Sequence, residues 1–232
     1  MDPHGFHTFG RDHLATLAVL AALGILVAWI GRGAQTAVRT WCGRALGLLL
    51  AAYAMARYTQ LAHDGQLSWA YSLPLELCHW VLIACVVALF FHAPPAAEIA
   101  YFWGFGGTLQ AVLTPDVYEG FPSWEFIQFF WSHGGILLAI IYLVAARRFM
   151  PQRGSVLRMM LAANFYLVFV GALDWIFGWN YGYLRQPPAQ PSLLDCLGPW
   201  PWYILSLEVI ALASFWLLSL PWRLLRTTSI NK

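Results

Sequence analysis

The segment from His13 to Ile30 reads HLATLAVLAALGILVAWI and contains no Asp, Glu, Lys or Arg. A helix rises about 1.5 Å per residue, so about 20 apolar residues cross the hydrocarbon core of a bilayer. The run is longer than the apolar core of most signal peptides, which is about 7–15 residues. In addition, Asp12 offsets the charge of Arg11 in front of it. We therefore predict a membrane-spanning helix that is not cleaved.

The composition of the whole chain is also typical of a membrane protein. Of the 232 residues, 60% are hydrophobic and 10% are charged, against about 45–50% and about 25% in soluble proteins. So few charges cannot cover a soluble fold, which excludes a soluble enzyme and a disordered chain. A net charge of +2 is too small for a nucleic-acid-binding surface, so we expect membrane lipids and no nucleic acid as partners. The composition leaves the oligomeric state open.

Six further apolar segments follow the first one, and we predict seven spans in a single domain over residues 1–232. Their bounds are roughly 13–30, 41–61, 72–91, 97–114, 124–146, 156–177 and 201–221. Transmembrane strands alternate apolar and polar residues over about 10 positions, and these continuous runs do not. The predicted fold class is therefore an all-α polytopic membrane protein with seven transmembrane helices.

The distribution of basic residues predicts the orientation of the spans. They concentrate after the first span, after the fifth span and in the C-terminal tail: Arg32, Arg39, Arg44, Arg147, Arg148, Arg153, Arg158, Arg223, Arg226 and Lys232. The opposite side carries Arg11, Arg57 and Arg185. Because positively charged loops stay in the cytoplasm, we predict an outside N-terminus and a cytoplasmic C-terminus.

Polar side chains inside a bilayer are costly and mark function by default. When the spans are oriented as above, the polar positions fall in the outer half of the membrane. They are Arg57, Glu76, Cys78, His79, Gln110, Asp116, His133, Asp174, Asn180 and Glu208. We therefore predict one polar cavity that opens outward or sideways into the outer leaflet.

Cys78 is the strongest nucleophile in this layer. A cysteine reacts as its thiolate, so a base has to take the proton. His79 is adjacent in a helix and points about 100° away, which favours His133, on another span, as the base. Glu76 lies three residues before His79 and would share its helical face. Either Glu76 or Asp174 would then orient an imidazole.

The same residues also have an ordinary structural interpretation. A cysteine in a membrane helix is usually a small apolar side chain, and a histidine in a bundle is usually a packed, hydrogen-bonded group. Glu76 and Asp174 would then only pair with Arg57. Glycines of the fourth and fifth spans would let these spans pack closely; they are Gly104, Gly106, Gly107, Gly134 and Gly135.

Three other functions stay open. The proton relay of a transporter would use Glu76, Asp174, Glu208 and the two histidines, although nothing titratable reaches the inner half. A metal or haem site would use His79, His133, Cys78 and Glu76, but no HxxxH or similar spacing supports it, and we expect no cofactor. A sensor or packing subunit would use the polar residues only as a hydrogen-bonded network.

Several motifs resemble the YwaF-like family of bacterial integral-membrane proteins. They are Leu73-Pro74-Leu75-Glu76-Leu77-Cys78, Tyr101-Phe102-Trp103-Gly104, Gly107-Thr108-Leu109-Gln110-Ala111, Leu113-Thr114-Pro115-Asp116, Phe129-Phe130 with Ser132-His133-Gly134-Gly135, Asn180-Tyr181, Ser192-Leu193-Leu194-Asp195 and Gly198-Pro199-Trp200-Pro201-Trp202-Tyr203. His13 suits the histidine that opens the first span of that family. The resemblance covers nearly the whole chain.

This resemblance implies that the chain is a bacterial inner-membrane protein. It also implies an enzymatic activity on lipids. The family looks distantly related to a eukaryotic transmembrane acyltransferase that places polyunsaturated acyl chains onto ether lysophospholipids. That relative uses a membrane-embedded cysteine and histidine, and Cys78 and His133 lie in the matching motifs. The resemblance therefore implies a Cys–His acyltransferase or lipid hydrolase that forms a thioester. Gln110, Asp116 and Asn180 match only as motif positions.

Overall fold

The computed structural model describes residues 5–188 and 193–230, and Ser192 and Lys232 lie outside this range. Helices make up 75% of the structure, and the described residues contain no strand. The α-helices are α1 (Arg11–Gly33), α2 (Thr36–His63), α3 (Leu77–Phe91), α4 (Pro94–Trp103), α5 (Leu109–Leu113), α6 (Trp124–Ala145), α7 (Ser155–Phe177) and α8 (Trp202–Ile230). A π-helical turn, Gly104–Thr108, joins α4 to α5, and 3-10 turns lie at Tyr181–Tyr183 and Leu193–Leu197.

The described residues include helices that are long and apolar enough to cross a membrane, which confirms the prediction of an all-helical membrane protein. By length and composition they are Arg11–Gly33, Trp124–Ala145, Ser155–Phe177 and Trp202–Leu225. These four match the predicted first, fifth, sixth and seventh spans. The other predicted spans correspond to α2, which is 28 residues long but carries three arginines, to the shorter α3, and to the broken α4–α5 segment. Seven crossings and the direction of the termini stay predictions.

The third predicted span is shorter in the structure. Residues 72–76 form turns and bends, and α3 begins at Leu77. Pro74 explains this, because proline lacks a backbone N–H and keeps the preceding residue out of the helical conformation. Glu76 therefore precedes the helix, and the prediction that it shares a helical face with His79 is wrong.

The fourth predicted span is interrupted in its middle. α4 begins with two prolines in its first turn, where the missing N–H has no helical partner to lose. The π-turn Gly104–Thr108 follows, and its three glycines leave room for the wider backbone. The helix then ends at Leu113, because the next residue, Thr114, precedes Pro115 and so avoids the helical conformation.

The described chain divides into two compact units. The first consists of Met1–Gln60 and Cys78–Phe149, and the second of Leu61–Leu77 and Met150–Lys232. The first unit thus contains α1, nearly all of α2 and α3, and the helices up to α6. The second contains α7, α8 and the polar loops next to them. The single seven-helix domain of the sequence analysis stays a prediction.

Close packing in the first unit depends on glycines at the contacts between α6 and its neighbours. This helix packs along α1 and also contacts α4, the π-turn and α5. A Cβ atom on Gly104 would lie 2.2 Å from Cδ1 of Ile140, and one on Gly134 would lie 2.6 Å from Cδ2 of Leu20. Gly104 therefore lets the fourth span approach the fifth, as predicted, whereas Gly134 seats α6 against α1.

His13 anchors the beginning of α1 in the first unit. It is fully buried, and its Nδ1 accepts the backbone N–H of Phe9 at 2.9 Å. Its Nε2 lies 2.9 Å from the carbonyl oxygen of Val112. Since a carbonyl only accepts, Nε2 carries the proton and the imidazole is neutral. The rings of Phe6 and Phe130 pack against it, so His13 ties α1 to the end of α5.

The helices of the second unit are α7 and α8, which pack against each other. α7 is bounded by Gly154 and Gly178, whose φ angles are 78° and 75°. A left-handed residue after a helix is a common way to end it, and glycine adopts this conformation without steric cost. A groove of about 620 Å³ lies beside the start of α7, where Met160 and Leu212 contribute to its apolar lining.

Candidate functional site

A group of polar side chains from α2, α3 and α6 lies in the first unit. The Tyr53 hydroxyl donates to a backbone oxygen of α6 at 3.1 Å and lies close to Ser132. Arg57, one turn further along α2, acts electrostatically on Tyr53 and His79, and His79 acts on His133. We call these five residues the histidine cluster. Polar side chains are uncommon inside an apolar helix bundle, and they mark function by default.

His133 is held in one defined orientation. Its Nδ1 lies 2.9 Å from the carbonyl oxygen of Phe129 and 3.1 Å from the Ser132 hydroxyl. Its ring stacks on the Phe129 ring at a centroid distance of 4.2 Å. Because the carbonyl only accepts, Nδ1 is the nitrogen that donates, and Nε2 keeps its lone pair. This tautomer is the one that a general base requires.

Cys78 and His79 lie in the first turn of α3. Cys78 is a half-buried thiol, and the positive end of the helix dipole stabilises negative charge at this position. His79 has a buried Nδ1 without a hydrogen-bond partner among the described residues. Buried polar atoms are rarely unpaired, so this nitrogen is available to a polar atom of a ligand.

Two glutamines extend the polar contacts towards the start of α6. Gln128 donates from Nε2 to Oε1 of Gln60 at 2.8 Å, and the Trp124 indole donates to the same oxygen at 2.9 Å. These bonds hold α2 against α6 next to the histidine cluster. Gln110, a predicted site residue, instead bonds Thr114 at 2.7 Å and closes the end of α5. Asp116 is exposed in the loop that follows α5.

Glu76 and Asp174 lie in the second unit, where they hold a turn. Glu76 Oε2 accepts the backbone N–H of Gly182 at 2.9 Å, and Asp174 Oδ1 accepts that of Tyr181 at 3.0 Å. Asp174 is fully buried, and its Oδ2 has no partner within the described residues. We call this pair of acids the carboxylate cluster. The two acids bind the backbone amides of successive residues, Tyr181 and Gly182. The group that orients His133 is instead the backbone carbonyl of Phe129.

The Asn-Tyr motif shapes the same part of the second unit. The Tyr181 hydroxyl accepts the N–H of Leu73 at 2.9 Å and donates to the carbonyl of Trp69 at 2.7 Å. Asn180 Oδ1 accepts the amides of Arg185 and the next residue at 3.0 and 3.1 Å. Both residues of the motif therefore fix loops, which explains their presence without a chemical role.

Glu208 makes a separate polar contact in the second unit. The Asn164 side chain donates to Glu208 Oε2 at 3.0 Å and so links α7 to α8. The ten predicted residues thus do not form one group within either unit. Arg57 acts electrostatically on His79, which in turn acts on His133. Cys78 is adjacent to His79 in sequence, and separate partners bind Glu76, Gln110, Asp174, Asn180 and Glu208. Among the described residues, no three His, Cys, Asp or Glu side chains are grouped so as to hold a metal ion.

The family model of the TMEM164 family, a transmembrane family, matches residues 8–219. This range covers well over half of the 232 residues and runs from just before α1 into α8. The chain belongs to the TMEM164 family. Comparison with the curated proteins and with the solved structures gave no match. The TMEM164 match contains the whole histidine cluster and the whole carboxylate cluster.

Sequence reasoning missed Tyr53, Gln60, Gln128 and Ser132 in this TMEM164 chain. Each is uncharged, whereas the predicted site residues are mostly ionisable or nucleophilic side chains. A signal was nevertheless present, because Tyr53 and Gln60 are seven residues apart, and Gln128 and Ser132 are four apart. Such spacings put polar side chains on one face of each helix, which indicates a polar interface between α2 and α6.

Proposed function

We propose that this TMEM164-family protein is a membrane-embedded acyltransferase or lipid hydrolase in which Cys78 is the nucleophile and His133 the general base. The observation that carries the proposal is the orientation of His133. Its Nδ1 donates to the Phe129 carbonyl at 2.9 Å, which leaves Nε2 able to accept a proton in a polar cluster of an otherwise apolar bundle. The resemblance to a Cys–His acyltransferase supports the choice of Cys78.

The proposed chemistry has two halves, and the proton returns to its source in each cycle. His133 Nε2 takes the thiol proton, and the Cys78 thiolate attacks the acyl carbonyl carbon of a phospholipid ester. The carbon–oxygen bond to glycerol breaks, the leaving oxygen takes the proton from the imidazolium, and a lysophospholipid departs. A lysolipid hydroxyl or water then gives its proton to His133 and attacks the thioester, which restores the thiol.

Other members of the histidine cluster suit the remaining parts of such a substrate. Arg57 is exposed, and its guanidinium suits the phosphate of a lipid headgroup. The unpaired Nδ1 of His79 suits a polar atom of the glycerol or ester region. A cation and donors near the ester also stabilise the oxyanion that develops during acyl transfer.

The proposal includes a topology. The chain crosses a bacterial inner membrane seven times, with its N-terminus outside, and α2, α3 and the α4–α5 segment supply the additional crossings. The arginine distribution supports this orientation. Fusion of a reporter to the C-terminus that is active only in the cytoplasm tests it, and a signal from a periplasm-specific reporter contradicts it.

The activity is tested by lipid mass spectrometry of cells that contain equal membrane levels of the wild type, Cys78→Ala and His133→Ala. Cys85→Ala is the matched control, because Cys85 is fully buried in the same helix. We expect the wild type and Cys85→Ala to shift the lysophospholipid or acyl-chain profile equally. Cys78→Ala and His133→Ala should both lose the shift, because each removes one half of the nucleophile–base pair.

A covalent probe provides the second readout. A lipid that carries an acyl-phosphonate group should label Cys78 in the wild type and leave Cys42 and Cys85 unlabelled. An unchanged lipid profile together with an unreactive Cys78 contradicts acyl transfer. The alternative is then a transporter, and proton flux into liposomes that disappears in Glu76→Gln is the measurement that supports it.

A further inference from the structure

A group of cations lies at one end of the first unit, away from the histidine cluster. Arg39 and Arg44 lie in the first turns of α2, Arg147 follows α6, and His92 follows α3. Arg147 interacts electrostatically with Arg44 and Arg39, and His92 interacts with Arg147 and Arg44. We call the three arginines the arginine cluster. The last residue of α6 is about 18 Å along the helix axis from His133.

Backbone contacts fix two of these arginines. A Cβ atom on Gly43 would lie 3.0 Å from Nη2 of Arg147, so the guanidinium lies directly against α2. The same Nη2 donates to the carbonyl of Leu89 at 3.4 Å. Arg39 Nη1 donates to the carbonyl of Ala146 at 3.3 Å. The positive charges are therefore held at the meeting point of α2, α3 and α6, and do not extend freely into solvent.

Two guanidinium donors of the cluster have no hydrogen-bond partner in the part of the chain that the structure describes. They are Nε of Arg44 and Nε of Arg147, and both are buried. The Trp41 ring covers one face of the Arg44 guanidinium at 5.5 Å. A buried N–H of a charged group is costly when it is left unpaired, so both donors require an acceptor that the described side chains do not provide.

The electrostatic surroundings of the arginine cluster also favour an anion. Burial, followed by the positive charges of Arg147 and Arg44, lowers the pKa of His92. Burial lowers the pKa of Arg147 as well; Tyr142 opposes this effect, and Arg44 and Arg39 reinforce it. None of the groups that act on Arg147 or His92 is a carboxylate. The charged groups that act on Arg147 and His92 are therefore mainly cations.

We propose that the arginine cluster binds a phosphate-bearing anion, either the headgroup phosphate of an anionic phospholipid or inorganic phosphate. A phosphate oxygen accepts the two unpaired Nε–H groups and neutralises the facing guanidinium charges, since arginine forks match phosphate geometry. Arginines that only set membrane orientation work equally well with their guanidinium groups in water. That role does not account for buried Nε atoms.

The test is a thermal-shift titration of the purified full-length protein in a neutral detergent. The three ligands are dioctanoyl phosphatidylglycerol, dioctanoyl phosphatidylcholine and inorganic phosphate. We expect phosphatidylglycerol or phosphate to raise the melting temperature of the wild type. In Arg147→Gln the concentration for the half-maximal shift should rise at least tenfold. In Arg148→Gln, which removes the same charge from an exposed neighbour, it should change less than twofold.

The three ligands distinguish the sources of the anion. A shift with phosphatidylglycerol alone identifies a lipid headgroup, and a shift that inorganic phosphate reproduces identifies a soluble phosphate. Arg44→Gln is the second variant if Arg147→Gln does not fold, because no hydrogen bond of the Arg44 side chain to a described residue is lost. An absent shift in the wild type, or equal weakening in Arg148→Gln and in the cluster variants, overturns the proposal. Neither outcome depends on acyl transfer.

Discussion

Removing the Tyr181 hydroxyl should destabilise the second unit. The Tyr181 side chain is 1% exposed, and its hydroxyl bonds the N–H of Leu73 at 2.9 Å and the carbonyl of Trp69 at 2.7 Å. Tyr181→Phe keeps the ring and its packing and removes only the oxygen. The change therefore tests whether this hydroxyl holds the loop that leads into α3.

The expected loss follows from the two backbone groups that the change leaves without a partner. A buried unpaired donor or acceptor costs about 1–3 kcal/mol. Part of this is offset, because phenylalanine no longer has a hydroxyl to desolvate. We expect a net loss of about 2–4 kcal/mol, which for a chain of this length lowers the melting temperature by about 4–16 °C.

Intrinsic tryptophan fluorescence during heating in detergent measures this loss, since the chain has 13 tryptophans. Tyr71→Phe is the matched control, because Tyr71 lies in the same loop region and is 84% exposed. The control should melt within about 1 °C of the wild type, as exposed substitutions usually do. If Tyr181→Phe also melts within about 1 °C of the wild type, the two hydrogen bonds do not stabilise the loop, and the reasoning fails.

Three further changes are tested by the same melting assay. Asp174→Asn should leave the melting temperature nearly unchanged, because the amide oxygen still accepts the Tyr181 N–H, whereas Asp174→Ala should cost about 1–3 kcal/mol; equal losses contradict this. Gly104→Ala places a methyl group 2.2 Å from Ile140 Cδ1 and should cost about 1–3 kcal/mol. Adding Ile140→Val removes that atom and should restore part of the loss; a purely additive double variant refutes the contact. His13→Ala should cost about 2–4 kcal/mol through two lost hydrogen bonds and a cavity, while the exposed His7→Ala should cost nothing measurable.

The long apolar helices could be predicted from the sequence because the bilayer requires continuous hydrophobicity over about 20 residues. α6 and α7 begin and end within about one residue of the predicted spans, and α1 within about three, which is close to the usual uncertainty of helix boundaries. The start of α3 was misjudged because hydropathy does not register the backbone restriction of Pro74. The break at Gly104–Thr108 was missed because a π-turn depends on packing against other helices.

The candidate site was predictable only in part. Depth along a helix follows from sequence position, and this was enough to relate His79 to His133. The conformation of the loops decides which way a side chain points and which backbone group it contacts. Hydropathy does not predict that conformation. Glu76 and Asp174 were expected to orient a histidine, yet each accepts an amide of the turn at Tyr181 and Gly182.

The π-turn also decides which backbone group of the fourth span reaches α1. A π-turn takes in one more residue than an α-helical turn, so the residues after it are rotated by about 100° from where a regular α-helix of the same sequence would place them. The rotated part includes Val112, whose carbonyl meets His13 at 2.9 Å. The wider turn at Gly104–Thr108 is therefore what aims this carbonyl at the buried imidazole.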